Sequence, residues 1–317
     1  MNADRLQKQI DQSPRKPSFT FNVSRFTNPG SHLKVLICLF ALFVSVATPS
    51  AAYETEWVSF PALKEFNGQA VELDALMFRP TGKGPFPALV LMHGCGGMYT
   101  RSGNVTRSYL HWVELLAENG YVALLVDSFN PRGYPRICEL QQRPIRESRE
   151  RLQDAYAALQ WLEKEEYVEK KRVGLLGWSN GGTGTLYAMR ATQPYRGFRA
   201  AVAFYPGCRT LSRSKTPYVV YAPTLILAGE ADDWTPAAHC VALAAIAQKQ
   251  GSPLEIVTYP GAHHSFDRIN LPVRYRPNVR NLNKPDHRGA TSGEHPEARE
   301  KAIKRTLEFF AQMLKKP

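Results

Sequence analysis

The 317-residue chain lacks several features that would indicate a metal, repeat or membrane protein. Its cysteines and histidines do not fall at the short paired spacings of zinc sites. No segment recurs with a period of about 20–50 residues. The most apolar segment, residues 35–47, is shorter than the roughly 18 residues that a membrane-spanning helix needs. We therefore expect no metal, no cofactor and no membrane span in the mature protein.

The first 52 residues differ in composition from the rest of the chain. A long polar leader with scattered Lys and Arg precedes the apolar segment 35–47, and Ser50 and Ala52 then give a small-x-small cleavage pattern. This arrangement predicts a signal peptide over residues 1–52 and a mature protein of one domain, residues 53–317, that begins at Tyr53. The protein is then exported, either periplasmic or secreted. An uncleaved segment that anchors the protein to the membrane is the alternative.

The chain is strongly basic, with a formal net charge of +12. No RNA- or DNA-binding motif accompanies this charge, and export makes a nucleic acid an unsuitable partner. We expect no nucleic-acid partner and interpret the charge as a solvated basic surface. Attraction to acidic polymers or to an anionic envelope surface is the weaker hypothesis. The sequence does not indicate which oligomeric state the protein adopts.

The segment 177–181, Gly-Trp-Ser-Asn-Gly, has the form of a nucleophile elbow, with Ser179 at its centre. It follows the apolar run 173–176 and precedes a helix-like stretch. A serine hydroxyl reacts only if a tight strand-to-helix turn lifts it clear of the backbone, and that crowded turn accepts only small residues two positions to either side. Gly177 and Gly181 occupy those positions. Ser179 is therefore the candidate nucleophile.

A glycine-rich loop, His-Gly-Cys-Gly-Gly at residues 93–97, ends the apolar run 88–92. Such a loop turns sharply and directs a backbone amide toward the nucleophile, where it contributes to an oxyanion hole. We expect the amides of Cys95 and Asn180 to form that hole. A plain glycine-rich strand exit is the alternative.

Two adjacent carboxylates follow the strand-like run 224–228. An acid that orients a catalytic histidine must lie at the carboxyl end of a strand and be buried. We assign this role to Asp232. Asp233 is expected to cap a helix that begins near Thr235. The alternative is that both acids only stabilise the turn and the helix.

A third strand exit, residues 259–267, carries two histidines. Histidine takes up and returns a proton near neutral pH, which suits a general base. His264 is the candidate, and His263 is its rival. The order Ser179, Asp232, His264 along the chain is that of the α/β-hydrolases.

Residues from about 57 to 314 resemble the dienelactone hydrolase family. The resemblance rests on the motifs at 93–97 and 177–181, on Gly-x-x-Asp at 229–232, and on Tyr-Pro-Gly-Ala-His-His-Ser-Phe at 259–266. It implies a single-domain α/β-hydrolase fold without an inorganic cofactor, and hydrolysis of carboxylic esters or lactones through Ser179, His264 and Asp232. The namesake enzymes have a cysteine nucleophile and a glutamate at the oxyanion-strand exit, where this chain has Ser179 and Gly94. The chain is more similar to the branch of the family that has a serine nucleophile.

The pattern of apolar runs supports a mostly parallel central sheet flanked by helices. It predicts strands at 71–78, 88–93, 121–126, 173–176, 200–204, 224–228 and 254–259, and helices at 146–164 and 297–314. The last helix carries one apolar stripe that we expect to be core packing. It is formed by Ile303, Leu307, Phe310 and Leu314. Residues 268–294 are polar and rich in arginine, and this pattern predicts a functional or flexible loop near the substrate site.

Four cysteines remain after the predicted cleavage, and they can pair in an oxidising compartment. Their positions after strand exits favour Cys208–Cys240 and, by elimination, Cys95–Cys138, although three pairings are open.

Aromatic and apolar residues flank the catalytic motifs and could line an acyl pocket or simply pack in the core. They are Met98, Tyr99, Trp178 and Trp234. The substrate is expected to be a small-molecule ester or lactone. Two other functions stay open: a peptidase of the prolyl-oligopeptidase type, which normally adds a separate domain, and a non-catalytic α/β-hydrolase scaffold used for binding.

Overall fold

A mixed eight-stranded sheet forms the centre of the part of the chain that the computed structural model describes, residues 52–315. The predicted signal peptide, except its last residue, lies outside the described residues. The strands are β1 (Tyr53–Pro61), β2 (Glu72–Pro80), β3 (Phe86–Met92), β4 (Val122–Asp127), β5 (Val168–Trp178), β6 (Ala200–Phe204), β7 (Thr224–Gly229) and β8 (Leu254–Tyr259). Their order across the sheet is β1-β2-β4-β3-β5-β6-β7-β8.

The sheet is parallel from β4 to β8, whereas β1 pairs antiparallel with β2 and β2 pairs antiparallel with β4. The parallel part is flanked by helices, and its central strands carry continuous apolar runs, as buried parallel strands do. Strands β4, β6 and β7 are buried along their whole length. The carboxyl ends of β3, β5, β6, β7 and β8 therefore meet at one edge of the sheet. Ligands bind at this edge in open α/β sheets.

Strand β1 is absent from the sequence-based prediction. It is an edge strand with a half-exposed pattern, so it has no continuous apolar run. The seven predicted strands correspond to β2 through β8.

Within the described part of the chain, six helices flank the sheet: α1 (Arg107–Glu118), α2 (Leu152–Leu162), α3 (Asn180–Met189), α4 (Arg209–Ser212), α5 (Ala237–Lys249) and α6 (Pro296–Phe310). The helix predicted over 146–164 is in fact a widened π-helical turn, Glu147–Arg151, followed by α2. In that turn the N–H of Arg151 donates to the carbonyl of Arg146, five residues earlier. The Arg151 side chain is fully buried.

The apolar stripe predicted on the last helix is only partly core. Phe310 and Leu314 are fully buried against β5, near Gly174, whereas Ile303 and Leu307 are partly exposed. The face that α6 buries includes small and polar residues instead, namely Ala298, Ala302 and Thr306.

The segment predicted as a loop over 268–294 contains a two-stranded antiparallel hairpin, β9 (Arg274–Arg280) and β10 (Arg288–Ser292). The predicted loop conformation was wrong because most of β9 is exposed, so the segment shows no apolar alternation. Its predicted position agrees with the structure, since residues 275–279 line a cleft together with Ser179. The side chain of Asn281 holds the hairpin by donating to the carbonyls of Asp233 and Gly289. The N–H of Gly293 donates to the carbonyl of His264, which places β10 beside the strand ends.

Two disulfides join segments that follow the strands: the first links two loops, and the second links the residue before α4 to α5. They are Cys95–Cys138 and Cys208–Cys240, the pairs that the sequence favoured. Within residues 52–315, none of the helices has both the length and the apolar character needed to cross a bilayer.

Candidate active site

Ser179 lies in a tight turn between β5, which ends at Trp178, and α3, which begins at Asn180. Its φ of 52° and ψ of −112° place it in a region that L-residues seldom adopt. Such a backbone costs about 1–3 kcal/mol and persists only where the surrounding structure holds it. The turn therefore has the strained geometry expected of a nucleophile elbow.

Close backbone contacts explain the two glycines of the elbow. A Cβ on Gly177 would collide with the carbonyl of Gly181 in the first turn of α3, and a Cβ on Gly181 would collide with the carbonyl of Met92 at the end of β3. Neither neighbour can give way, because both are backbone atoms. Any side chain at these positions would push the helix away from the strand.

Ser179, His264 and Asp232 form a continuous hydrogen-bonded row across the carboxyl ends of the strands. Ser179 Oγ lies 2.9 Å from His264 Nε2, and His264 Nδ1 lies 2.8 Å from Asp232 Oδ2. His264 and Asp232 are buried and Ser179 is half-buried. Because a carboxylate accepts only, Nδ1 carries the proton and Nε2 accepts from the serine hydroxyl. The arrangement can move a proton from hydroxyl to imidazole.

The turn after β7 holds Asp232 in its ionised form. Its Oδ1 accepts from the backbone N–H groups of Trp234 and Thr235, and its Oδ2 accepts from the Thr235 hydroxyl, each at 2.8 Å. Burial acts to raise the pKa of Asp232, but His264 and the hydrogen bonds from His264 and Thr235 outweigh it and lower the pKa below its usual value. The carboxylate is thus fixed and charged behind the imidazole.

The neighbouring acid and the rival histidine have other contacts. Asp233 was expected to cap α5, but Pro236 holds the N-cap position of that helix, with no side-chain hydrogen bond. Asp233 Oδ1 accepts instead from the N–H of Thr291 in the hairpin, at 2.6 Å. His263 Nδ1 lies 2.9 Å from the carbonyl of Ala231, and the contact with Ser179 is made by His264.

The loop that carries Cys95 passes beside the elbow. A Cβ on Gly94 would lie 3.5 Å from the Cβ of Ser179. The N–H of Gly94 donates to the Tyr109 hydroxyl at 2.8 Å, and the carbonyl of Cys95 accepts from the N–H of Ile137 at 2.9 Å. Asn180 is the first residue of α3, where a backbone N–H has no acceptor within its own helix. Cys95 lines the same cleft as Ser179, and Asn180 follows Ser179 directly in the chain.

Under this loop lies a second buried histidine, His93. Its Nδ1 lies 2.8 Å from the carbonyl of Gly94, while its Nε2 faces the N–H of Ser128 at 3.2 Å and the Arg151 guanidinium at 3.3 Å. Since Nε2 faces two donors, it accepts and the proton is on Nδ1. Burial and the charge of Arg151 lower the pKa of His93 well below its usual value. Arg151 also donates to the carbonyl of His93 and so anchors the loop from below.

Asp267 is a buried residue of the site that sequence reasoning missed. Its carboxylate accepts from the indole N–H groups of Trp112 and Trp178 at 3.0 and 2.9 Å, and from the Tyr205 hydroxyl at 2.6 Å. It thereby ties the residue before Ser179 to β6 and to the loop of His264. Its only sequence signal is its place three residues after His264.

Two open clefts meet at Ser179, with volumes of about 550 and 380 Å³. The first cleft lies between the loop 93–97 and the hairpin β9–β10, and the second lies between the π-helical turn and α4. Of the predicted lining residues, Tyr99 and Trp178 line the first cleft, and Trp234 lines both. Met98 does not line either; it is fully buried in the core. The ring of Trp234 packs on that of His264, with centroids 4.6 Å apart.

No group of three or more His, Cys, Asp or Glu side chains in residues 52–315 is clustered so as to hold a metal ion.

The fold and the site together define a hydrolase of the α/β-hydrolase fold. The model of the dienelactone hydrolase family matches residues 73–314, and the chain belongs to that family. It is 29% identical over 215 residues to a Bradyrhizobium protein named "Probable 2-oxo-3-(5-oxofuran-2-ylidene)propanoate lactonase", which covers 64% of this chain and 82% of the relative.

Two solved structures share the fold. The dienelactone hydrolase of Anabaena variabilis superposes with a TM-score of 0.57 at 20% identity, over 83% of this chain and 99% of its own. The acylaminoacyl peptidase of Pyrococcus horikoshii gives a TM-score of 0.59 at 19% identity, over 84% of this chain but 42% of its own.

Proposed function

We propose that the protein is an exported serine hydrolase that cleaves carboxylic esters or lactones through Ser179, His264 and Asp232. The observation that carries this proposal is the row of contacts from Ser179 Oγ to His264 at 2.9 Å and from His264 to Asp232 at 2.8 Å. Membership of the dienelactone hydrolase family supports the same reaction class. The elbow geometry of Ser179 adds to it.

The reaction proceeds in two halves. His264 Nε2 takes the proton of Ser179 Oγ while that oxygen bonds to the carbonyl carbon, and Asp232 stabilises the imidazolium that forms. The carbonyl oxygen becomes negative and accepts from the amides of Cys95 and Asn180. When the carbon–oxygen bond of the ester breaks, His264 returns the proton to the departing alcohol. Water then repeats the sequence on the acyl-enzyme and releases the acid.

A fluorophosphonate probe tests the assignment, because it labels only an activated serine. We expect the folded protein to be labelled at Ser179 and to hydrolyse p-nitrophenyl esters, and Ser179→Ala to abolish labelling and to lower kcat by several orders of magnitude. Ser59→Ala is the matched control, since Ser59 is an exposed serine on β1 that bonds Asp74. Label absent from the folded protein would favour a binding scaffold. Faster cleavage of peptide amides than of esters or lactones would favour a peptidase.

Export is supported by the two disulfides, Cys95–Cys138 and Cys208–Cys240, because such bonds form and persist in an oxidising compartment. Peptide mapping without reduction, on protein recovered from outside the cytoplasm, is expected to find Tyr53 at the N-terminus and both cystine-linked peptide pairs. Residues 1–52 present on that protein, or thiols at all four cysteines, would contradict cleavage and oxidation respectively.

A further inference from the structure

Arginines surround Ser179 on both sides. The two clefts share only Ser179 and Trp234, and each has four arginines and one glutamate among its lining residues. In the first cleft these are Arg101, Arg136, Arg268, Arg276 and Glu139. In the second they are Arg143, Arg209, Arg213, Arg280 and Glu147. Neither lining includes lysine or aspartate.

The single glutamate of each cleft is already bound to one of its arginines. Arg136 forms an ion pair with Glu139, and Arg143 forms one with Glu147 at 3.0 Å. Glu147 also accepts from the side-chain amide of Asn180 at 2.5 Å. Among the described residues, the remaining arginines of each cleft form no ion pair with a carboxylate of that cleft, so positive charge is in excess in both.

Neutral oxygens hold several of these guanidinium groups in place. Arg276 donates to the Ser292 hydroxyl at 2.5 Å and Arg268 donates to the Tyr109 hydroxyl at 3.2 Å. Arg209 donates to the carbonyl of Leu282. The acid next to Arg268 in sequence, Asp267, lies behind the cleft and accepts from two indoles and a phenol. The contacts to neutral oxygens fix these positive charges in position, and Asp267 partly balances the charge of Arg268, whose pKa is raised despite burial.

Strand β9 supplies one arginine to each cleft, Arg276 to the first and Arg280 to the second. Burial, together with Arg268, Arg136 and Arg274, lowers the pKa of Arg276, and this outweighs the opposite effect of Glu139. Burial together with Arg143 likewise lowers the pKa of Arg280 against the opposite effect of Glu147. Cations held this close repel one another, and an anion placed between them removes that repulsion. The planar guanidinium group matches a carboxylate with two parallel hydrogen bonds.

We propose that the preferred substrate is an extended ester with a carboxylate on each side of the scissile bond, one bound in each cleft. This inference rests on the proposed hydrolysis at Ser179 and names the substrate class of that site. A scissile carbonyl at Ser179 has one cleft on either side, so the acyl arm and the alcohol arm occupy different clefts.

A series of four esters of equal length tests the proposal. They are butyl butyrate, the monobutyl ester of succinate, the butyrate ester of 4-hydroxybutyrate, and the succinate half-ester of 4-hydroxybutyrate. Acid release is followed in a pH-stat. Each carboxylate is expected to raise kcat/KM about tenfold, the value of one charge-assisted contact. The doubly charged ester is then preferred about a hundredfold over the neutral one, and added salt reduces the preference.

Matched substitutions on β9 show which cleft binds the carboxylate of the acyl arm and which binds that of the alcohol arm. Arg276→Gln is expected to lose the preference for one singly charged ester and to keep it for the other, and Arg280→Gln is expected to show the opposite pattern. Each preference is measured against butyl butyrate in the same variant, so a general loss of activity cancels. Arg305→Gln, on α6 and bound to Glu255, is the control and keeps both preferences.

The outcomes separate this inference from the proposed function. The two-cleft proposal is overturned if Ser179 hydrolyses butyl butyrate as fast as the charged esters, or if only a carboxylate on one side of the ester raises the rate. Either result leaves the proposed hydrolase function standing. No hydrolysis of any ester by the folded protein contradicts the proposed function. Calorimetry with Ser179→Ala and the doubly charged ester then tests the clefts directly, and the lack of salt-sensitive binding overturns the inference.

Discussion

Two histidines in this protein have the same burial and the same protonation pattern but opposite surroundings. His93 follows β3 and His264 follows β8, and their exposed fractions are 0% and 2%. In both rings the Nδ1 proton points to an oxygen and Nε2 accepts a hydrogen bond. Burial and tautomer therefore do not distinguish a structural histidine from a candidate base.

The difference lies in the groups at the two ring nitrogens. Nδ1 of His264 donates to the carboxylate of Asp232, which stabilises a positive imidazole, and its Nε2 accepts from a hydroxyl that can give up a proton. Nδ1 of His93 donates to a neutral carbonyl, and its Nε2 faces a backbone N–H and the Arg151 guanidinium, which repels a positive ring. The Asp127 carboxylate also lies 3.8 Å from Nε2, but burial and Arg151 outweigh it and lower the pKa of His93. Only the first environment permits a proton to be taken up and returned.

The largest effect is expected where the carboxylate behind His264 is removed. In Asp232→Asn the new side-chain NH₂ donates toward Nδ1, so the proton moves to Nε2, which can no longer accept from Ser179. We expect kcat to fall by about 10⁴-fold, as for the corresponding change in a serine protease. Asp233→Asn is the matched control, because Asp233 bonds the hairpin and not His264, and we expect it to lower kcat less than tenfold.

Ester hydrolysis by the two purified variants, with urea unfolding as a check on the fold, decides this prediction. Equal losses of kcat in Asp232→Asn and Asp233→Asn would mean that the carboxylate behind His264 has no special role. The different partners of the two histidines would then have no demonstrated consequence for function.

How far the sequence predicted the structure depends on the kind of residue. The strand exits that carry Ser179, Asp232 and His264 were found because each follows an apolar run and each chemistry needs a particular residue type. The parallel sheet was predicted for the same reason, since buried strands are continuous apolar runs.

Features that depend on distant contacts were not predictable. His93 was visible only as the first residue of a glycine-rich loop, because Arg151, which sets its environment, lies 58 residues away. The hairpin β9–β10 has exposed strands without apolar alternation and was taken for a loop. Asp233 was assigned to the nearest helix, whereas it bonds Thr291, 58 residues further along. Local sequence patterns therefore identify the candidate reacting groups, whereas their surroundings depend on contacts with residues that are distant in sequence.

The environment of His93 predicts a smaller effect, on the free energy of unfolding and not on the rate of hydrolysis. Burial and Arg151 lower the pKa of His93 in the folded protein, so this ring stays neutral at pH values where a histidine of the unfolded chain takes up a proton. Below about pH 6.5 the unfolded state therefore binds more protons. The free energy of unfolding falls as the pH falls, by up to about 1.4 kcal/mol per pH unit for this one group. The contribution is complete above pH 6.5 and is lost on acidification.

His93→Gln removes the titrating group and keeps a polar side chain of similar size. We expect the free energy of unfolding of this variant, measured in urea, to fall less steeply between pH 7 and pH 5 than that of the wild type. The difference in slope corresponds to at most one proton taken up on unfolding. Between pH 7 and pH 9 the two slopes should coincide, since His93 is neutral in both the folded and the unfolded state there. Comparing slopes and not absolute stabilities cancels any general cost of the substitution. Identical slopes below pH 7 would mean that His93 takes up a proton as readily in the folded protein as in the unfolded chain, and that Arg151 does not keep this ring neutral.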